Sequence, residues 1–289
     1  MKILVTGATG HLGSAVIETL LKKIPAQQIA VLVRKTEKQL ELQAKGLHAH
    51  LGNYDDPDSL EKAMNGVDIV LLISSTDEGD RMQQHRNVVD TAKKAGVKSI
   101  AYTSRSLHDK TTLSNQLMLE HFDTEDYIKQ SKLKYTIFRN ALYMDVLPLF
   151  VGKQVFETGI FQPAGDGKVA FALRKEMGEA IANVLLNEAS EYKTYRFTGS
   201  KVYSFDDIAS VLTELSGKEV TYTSVEIPAF VEMMKGKGLP EIMVKKIIDF
   251  NTDIKNGQEA EVRDDLEKKL GRKPASLKEG LTILFGFQK

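Results

Sequence analysis

The sequence predicts an α/β fold, a doubly wound parallel sheet followed by a smaller lobe, and three observations support this prediction. Through the first half of the 289 residues, short apolar runs alternate with amphipathic stretches. Continuous apolar runs separated by helices are typical of parallel strands that helices cover on both faces. A glycine-rich turn directly follows the first of these runs, and after about Tyr143 the pattern becomes mainly helical.

Several strands and helices can be placed from their local patterns. Leu12 and Val16 begin an apolar stripe at the spacing of one face of a helix. In the second half, residues 217–227 predict one more strand, and Ser276 with Glu279 makes a capping box that begins a final helix. The strands predicted in the first half are Ile3–Thr6, Ile29–Arg34, Leu47–Leu51, Ile69–Ser74, Ser99–Ser104 and Tyr135–Arg139.

The composition excludes several classes of function. The chain has 39 basic and 39 acidic side chains, so it lacks the basic field that nucleic acid or an anionic membrane needs. It has no cysteine, which excludes disulfides, thiolate zinc sites and cysteine nucleophiles. His48 and His50 alternate on one strand without a third ligand nearby, so no metal site is expected. No stretch approaches the roughly 18 apolar residues of a membrane span, so we expect a cytoplasmic protein. We expect this protein to be a monomer or a homodimer.

The glycine-rich turn is the strongest functional signal. It reads VTGATGHLGSAV over residues 5–16, so a strand leads into Gly7, Gly10 and Gly13 and then into a helix. Glycines in this context allow a tight turn, a close approach of the backbone to a pyrophosphate, and close packing of the helix on the strand. The N–H groups and the positive dipole at the helix start favour an anion. The turn therefore predicts a dinucleotide-binding site.

The end of the second strand indicates which dinucleotide is bound. Proteins that bind NAD usually place a carboxylate there, to accept a hydrogen bond from the ribose 2′-hydroxyl. This chain has Arg34 instead, with Lys35 and Lys38 close behind. A guanidinium suits a phosphate dianion, whereas a carboxylate would repel it, so NADPH is expected in preference to NADH. A solvated basic start of a helix remains an alternative, chiefly for the two lysines.

Further cofactor contacts are expected beyond the carboxyl ends of the strands, where ligands of such sheets bind. Residues after the third strand could frame the adenine, and those that end the fifth strand should lie nearest the nicotinamide. An ordinary loop role stays open for each of them. The candidates are Asn53, Tyr54, Ser74, Ser75, Tyr102, Thr103 and Ser104.

Several motifs together resemble a known family. In this order, they are GATGHLG, VRKTEK, IAYTS, HFDTE, YTIFRNALYMD and PAGDGK. The chain resembles the NmrA-like atypical short-chain dehydrogenase/reductases over nearly its whole length. It is most similar to the branch of type 2 NAD(P)H:quinone oxidoreductases and triphenylmethane reductases. The resemblance implies a Rossmann-like NADPH-binding domain over residues 1–147 and a smaller α/β substrate lobe over 148–289, with a cleft between them.

The resemblance also implies roles for individual residues. Arg34 would bind the 2′-phosphate, Asn140 would lie near the nicotinamide, and Tyr143 would lie on the substrate side. Packing between the lobes is the alternative role for Tyr143. The residues implied to line the dinucleotide are Gly7, Thr9, Gly10, His11 and Leu12.

The chain departs from typical short-chain reductases at their Tyr-x-x-x-Lys motif. The helix with the sequence LMLEHFDTE places Leu117 at the tyrosine position and His121 at the lysine position. Hydride transfer to a ketone leaves an alkoxide, whereas a quinone leaves a phenolate-like anion whose conjugate acid has a pKa of about 10, roughly six units below that of the alcohol. This difference is worth about 8 kcal/mol. Without a tyrosine acid, the site should favour quinones and similar delocalised electrophiles.

His121 has two possible roles. It falls on the apolar stripe from Leu117 to Ile128, so it should be buried. Its ordinary pKa of about 6.5 would let it donate a proton. A hydrogen-bonded core histidine or a ribose-facing one is the alternative, and we expect His121 to line the site without being an obligatory acid.

These inferences favour hydride transfer from NADPH to a small aromatic electron acceptor, namely a quinone, a dye or an azo compound. A non-catalytic redox sensor of the NmrA type, which binds NADP(H) and controls a partner protein, is the alternative. Nucleotide-sugar epimerisation is disfavoured by Leu117, because that chemistry needs a tyrosine base.

Overall fold

Nine parallel strands form the sheets of the computed structural model, which describes residues 1–75, 79–152, 154–188 and 192–287. Seven belong to one sheet and two to a small second sheet, and the strands predicted in the first half are confirmed to within two residues at each end. The strands are β1 (Ile3–Val5), β2 (Ile29–Val33), β3 (His48–Leu51), β4 (Ile69–Leu72), β5 (Ser99–Arg105), β6 (Lys134–Asn140), β7 (Ile160–Gln162), β8 (Lys193–Phe197) and β9 (Tyr222–Ser224).

The large sheet has the order β3-β2-β1-β4-β5-β6-β8 and the small sheet pairs β7 with β9. The helices are α1 (His11–Leu21), α2 (Thr36–Ala44), α3 (Pro57–Met64), α4 (Arg81–Lys94), α5 (Gln116–Gln130), α6 (Leu147–Val151), α7 (Val155–Thr158), α8 (Arg174–Asn187), α9 (Phe205–Ser216), α10 (Ile227–Gly236), α11 (Glu241–Lys255), α12 (Asp265–Leu270) and α13 (Leu277–Phe285).

Helices cover both faces of the large sheet, as the continuous apolar strands predict. Ile3 and Val5 of β1 point to one face and pack in a core with α1 and α8. Leu4, between them, points to the opposite face and packs in a second core with α3 and α4. Each strand therefore buries both alternating sets of side chains, which confirms the doubly wound Rossmann-like fold.

The chain crosses back to the large sheet after building part of the lobe. β8 pairs with β6 in parallel, and α8 packs against α1 on the same face. A Cβ added at Gly178 of α8 would lie 2.5 Å from the Cβ of Ala15, so the two helices approach closely there. Elements from beyond residue 147 thus complete the first core, and the boundaries of independent domains stay a prediction.

The remaining elements form a separate core around the small sheet. Phe205, Ile208 and Leu212 of α9 pack there with residues of α6 and α13. The strand predicted within residues 217–227 is present as β9. The predicted capping box is also confirmed, because Ser276 and Glu279 exchange hydrogen bonds at the start of α13. Among the described residues, no helix is both long and apolar enough to span a membrane.

Candidate active site

A cavity of about 440 Å³ opens at the carboxyl ends of β1 to β4. Residues that follow four neighbouring strands line it, and two residues from beyond β6 complete it. This is the position at which parallel sheets of this kind bind ligands. The lining residues are Gly7, Thr9, Gly10, His11, Leu12, Gly13, Leu32, Val33, Arg34, Gly52, Asn53, Tyr54, Ile73, Ser74, Ser75, Tyr143 and Arg174.

The glycine turn has the geometry of an anion cradle. Gly7 adopts φ +58°, in the left-handed region that side chains disfavour, and its carbonyl accepts the N–H of Gly10 at 3.0 Å. Gly10 caps α1 with no side-chain hydrogen bond, so the first N–H groups of the helix face the cavity without a competing side chain. A Cβ at Gly13 would lie 2.3 Å from the Gly7 carbonyl oxygen. These features fit a dinucleotide pyrophosphate.

The predicted basic residues after β2 separate into different environments. Arg34 is exposed and lines the cavity. Lys38 does not line the cavity. Its Nζ lies 2.6 Å from Glu41 Oε2, and both residues line a neighbouring groove. Lys35 caps α2 with its backbone and is also absent from the cavity wall. Only Arg34 of the three is therefore placed to contact a group bound in the cavity.

Asn53 and Tyr54 line the cavity after β3, as the sequence predicts, and each also has a structural task. The Tyr54 hydroxyl lies 2.5 Å from the Thr6 hydroxyl and donates to the Ile73 carbonyl at 2.9 Å. It thereby ties the ends of β1 and β4 together. The Asn53 side chain accepts the N–H of Asp55 at 2.8 Å and shapes the following turn.

The serines after β4 line the cavity, whereas the candidates at the end of β5 lie behind it. Thr103 accepts the N–H of Ser74 at 3.0 Å, and Ser104 donates to Glu125 at 2.6 Å. β5 continues to Arg105, so both residues lie inside the strand and are buried. Thr103 thus supports Ser74 from behind the cavity, whereas Ser104 is bonded to α5. Contact of either residue with a cofactor stays a prediction.

A buried polar network lies behind Ser75 and includes both α4 and α5. The Ser75 N–H donates to His85 Nε2 at 2.9 Å, and the Ser75 carbonyl accepts Arg81 Nε at 2.8 Å. Arg81 Nη2 lies 3.0 Å from His121 Nε2, and His121 Nδ1 lies 3.0 Å from the Tyr102 hydroxyl. Arg81 Nη2 also lies 3.4 Å from His121 Nδ1, and its shorter contact with Nε2 favours the tautomer in which Nε2 accepts from arginine and Nδ1 carries the proton beside Tyr102.

His121 is a core residue in this structure. It is 5% exposed and is absent from the residues that line the cavity. Burial, and then the positive charges of Arg81 and Arg105, hold the pKa of His121 well below its usual value. The imidazole is therefore neutral, with its one proton committed inside the network. Of the two roles considered from the sequence, this arrangement favours the hydrogen-bonded core histidine over the proton donor.

His85 should make the stability of the protein depend on pH. Burial, together with the charge of Arg81, lowers its pKa to about 3, whereas the unfolded value is about 6.5. Between these values the unfolded chain binds a proton that the folded protein excludes, so stability falls as the pH falls below 6.5. From pH 7.5 to pH 5 we expect His85 to contribute a loss of about 2 kcal/mol in the free energy of unfolding.

Urea unfolding of wild type and of the His85→Gln variant at both pH values measures this contribution. The variant should lose about 2 kcal/mol less than wild type on acidification. His48→Gln, on an exposed histidine, is the matched control and should retain the wild-type pH dependence. If the free energy of unfolding changes equally with pH in wild type and in His85→Gln, His85 is not the source of the pH dependence.

The far end of the cavity is built from three side chains. Asn140 is fully buried and donates from Nδ2 to the Tyr143 hydroxyl at 3.2 Å, and its Oδ1 has no hydrogen-bond partner among the residues that the structure describes. The structure thus places Asn140 behind Tyr143, which itself lines the cavity. The Arg174 guanidinium lies 4.4 Å from the centroid of the Tyr143 ring. Asn140 therefore orients Tyr143, and Arg174 covers its ring.

Arg174 was missed by the sequence reasoning. It is the first residue of α8 and lies 31 positions beyond Tyr143, in a stretch where no local motif marks it. A parallel bridge between Tyr143 and Ala172 brings the two segments together. The usable signal was a basic residue at a helix start directly after an apolar run, which by itself is common. No cluster of three potential metal ligands occurs among the described residues.

Comparison with known proteins identifies the family. The model of the NmrA-like family matches residues 1–287. The chain belongs to the NmrA-like family. Quinone oxidoreductase 2 of Escherichia coli (strain K12) is 38% identical over 284 residues, which are 98% of each chain. The NAD(P)H azoreductase of Xenophilus azovorans is 27% identical over 274 residues, which are 93% of each chain. The predicted resemblance is confirmed.

Two solved structures of NmrA-like relatives share the whole fold. The E. coli quinone oxidoreductase, solved in complex with NADPH, superimposes with a TM-score of 0.92 at 37% identity, covering 98% of this chain and 99% of that one. The Citrobacter sp. triphenylmethane reductase, solved with NADP(H), gives 0.91 at 37% identity, covering 98% and 100%. The agreement extends over nearly the whole NmrA-like chain.

Proposed function

We propose that this NmrA-like protein transfers a hydride from NADPH to quinones or to similarly delocalised electrophiles, such as triphenylmethane dyes and azo compounds. The observation that carries the proposal is one continuous cavity, which has Arg34 at one end, a glycine cradle in the middle and Tyr143 with Arg174 at the other end. The relatives named quinone oxidoreductase, triphenylmethane reductase and azoreductase support the same chemistry.

The residues present fit NADPH. The N–H groups of the glycine turn would hold the pyrophosphate, and Arg34 would hold the 2′-phosphate at the end of β2. Ser74 and Ser75 continue the cavity wall past β4, and Asn53 and Tyr54 line it after β3. Bound NADPH supplies the hydride, and the protein supplies its orientation.

The protein's own contribution is positioning, with no dedicated proton donor. Leu117, at the position of the usual tyrosine, packs beside a small apolar cluster of Leu107, Met118 and Phe122. His121 is neutral and buried, so it does not take over that role. A reduced quinone stabilises its own negative charge and takes its proton from water. Fixed geometry at the cavity then supplies most of the rate.

An acceptor panel tests the proposal. With NADPH in excess, the loss of its near-ultraviolet absorbance should be rapid with a simple p-quinone and at least about 100-fold slower with a plain aliphatic aldehyde, because only the aldehyde needs an acid. NADH in place of NADPH reports cofactor preference in the same assay. Rapid aldehyde reduction with indifference to quinones would contradict the proposed chemistry. Tight NADPH binding without turnover of any acceptor would instead favour the redox sensor.

We also propose that the reaction takes place in the cytoplasm, because the pool of NADPH that it would draw on is found there. Cell fractionation followed by the quinone assay tests this location. Whether the protein is a monomer or a homodimer stays a prediction, and light scattering measures it directly.

A further inference from the structure

The charge of Arg174 is the feature of the cavity that the proposed function leaves unused. Its guanidinium covers the Tyr143 ring at 4.4 Å, and both side chains line the cavity. The nearby Asp145 carboxylate accepts the backbone N–H of Arg174 at 2.8 Å. Among the described residues, no carboxylate forms a salt bridge with the guanidinium. Within the described part of the chain, this positive charge of the cavity is therefore not neutralised by an ion pair.

The strand order separates this charge from the other charged end of the cavity. Arg34 follows β2 and Tyr143 follows β6, and these strands lie on opposite sides of β1 and its glycine turn. The turn already presents N–H groups to a pyrophosphate in the middle of the cavity. Arg174 therefore lies on the side of the turn away from Arg34, where a second reactant would enter beside Tyr143.

We propose that Arg174 binds the acceptor oxygen that becomes negative on reduction, and that it thereby favours acceptors that become anions over acceptors that begin as cations. This inference rests on the proposed function. Transfer of a hydride from NADPH to a quinone gives NADP⁺ and the hydroquinone monoanion, which then takes one proton from water. Transfer to the central carbon of a triphenylmethane cation gives NADP⁺ and a neutral product.

One guanidinium has opposite effects on these two reactions. For a quinone, attraction grows as negative charge develops on the oxygen, so it lowers the barrier more than it strengthens substrate binding. For a cationic dye, the same charge repels the substrate before the reaction and has no anion to stabilise afterwards. The ratio of the two activities therefore reports the role of Arg174 independently of general damage to the protein.

The test compares Arg174→Gln, Arg174→Lys and wild type with a neutral p-quinone and with a cationic triphenylmethane dye. In Arg174→Gln, kcat/KM for the quinone should fall about 10- to 100-fold, while kcat/KM for the dye should stay level or rise. Arg174→Lys keeps the charge and should retain part of the quinone activity. Lys175→Gln removes the same charge from the next, exposed position and should leave both activities unchanged.

A binding measurement adds a readout that needs no turnover. The ionised form of 4-nitrophenol is coloured, so its absorbance in the presence of the NADP⁺-loaded protein reports whether the cavity favours a phenolate. Wild type should shift the ionisation of the bound phenol to lower pH, and Arg174→Gln should lose that shift. NADPH affinity, from fluorescence titration, should be the same in both proteins.

Three outcomes would overturn the inference. The first is an equal loss of quinone and dye activity together with weaker NADPH binding, which would assign Arg174 to the cofactor phosphates. The second is unchanged quinone activity in Arg174→Gln, and the third is the same phenol ionisation in both proteins. If wild type reduces neither acceptor, the proposed function fails, and the phenol measurement still decides whether Arg174 binds an anionic oxygen.

Discussion

Gly13→Ala should weaken NADPH binding at least about 100-fold and lower the free energy of unfolding by about 1–3 kcal/mol. A Cβ at position 13 would lie 2.3 Å from the carbonyl oxygen of Gly7 and 2.9 Å from its carbonyl carbon. Both are backbone atoms of the turn, so no rotation of a side chain relieves the contact. α1 must therefore move away from β1, and the N–H groups that would hold the pyrophosphate move with it.

Fluorescence titration with NADPH and urea unfolding measure the two effects separately. Gly236→Ala is the matched control, because a Cβ at this last residue of α10 meets no atom within 4 Å. This control should bind NADPH like wild type and should be at least as stable, since alanine favours a helix more than glycine does. A Gly13→Ala protein that binds NADPH as tightly as wild type would show that the turn tolerates a wider spacing.

The fold was largely predictable because its signals are local. Each of β1, β2 and β4 is a continuous apolar run that buries both faces, and the glycine turn follows β1 at once. β8 was missed because it is an edge strand with a mixed pattern: Lys193 and Thr194 are exposed, whereas Tyr195 and Phe197 are buried. An edge strand has a partner on one side only, so its sequence need not be apolar throughout.

Contacts in the candidate site were predictable only where the chain leaves a strand. Ser74 and Ser75 lie beyond the end of β4 and reach the cavity, but Thr103 and Ser104 remain inside β5, which runs one residue further than predicted. The predicted strands ended at Ser74 and Ser104, whereas the structure ends β4 two residues earlier and β5 one residue later, so the two serines have different surroundings. Periodicity cannot resolve that difference.

The state of His121 and the position of Arg174 depend on tertiary contacts. The apolar stripe on α5 predicted that His121 is buried, and it is. Its neutral form follows from burial and from Arg81, which lies 40 residues away on α4. Arg174 reaches Tyr143 only because α8 returns from the second half of the chain to pack on α1. No pattern within one segment contains such information.

Arg34→Glu should reverse the cofactor preference and shift the ratio of NADPH to NADH affinity by at least about 100-fold. Arg34 is the one basic residue after β2 that lines the cavity, at the position where a carboxylate would select NAD. The substitution removes charged hydrogen bonds to the 2′-phosphate and adds repulsion. It also supplies an acceptor for the 2′-hydroxyl of NADH, so binding of NADH should be retained or improved.

Titration of wild type and variant with each cofactor, at low and at high salt, measures this change. NADPH binding to wild type should weaken with salt more than NADH binding does, because the contact with the exposed Arg34 is screened. Lys38→Glu is the matched control. Lys38 forms a salt bridge with Glu41 at 2.6 Å beside a separate groove. Reversing the charge of Lys38 should therefore change the ratio of NADPH to NADH affinity far less. An equal loss of affinity for NADPH and for NADH in Arg34→Glu would mean that the guanidinium supports the cavity wall and does not bind the 2′-phosphate.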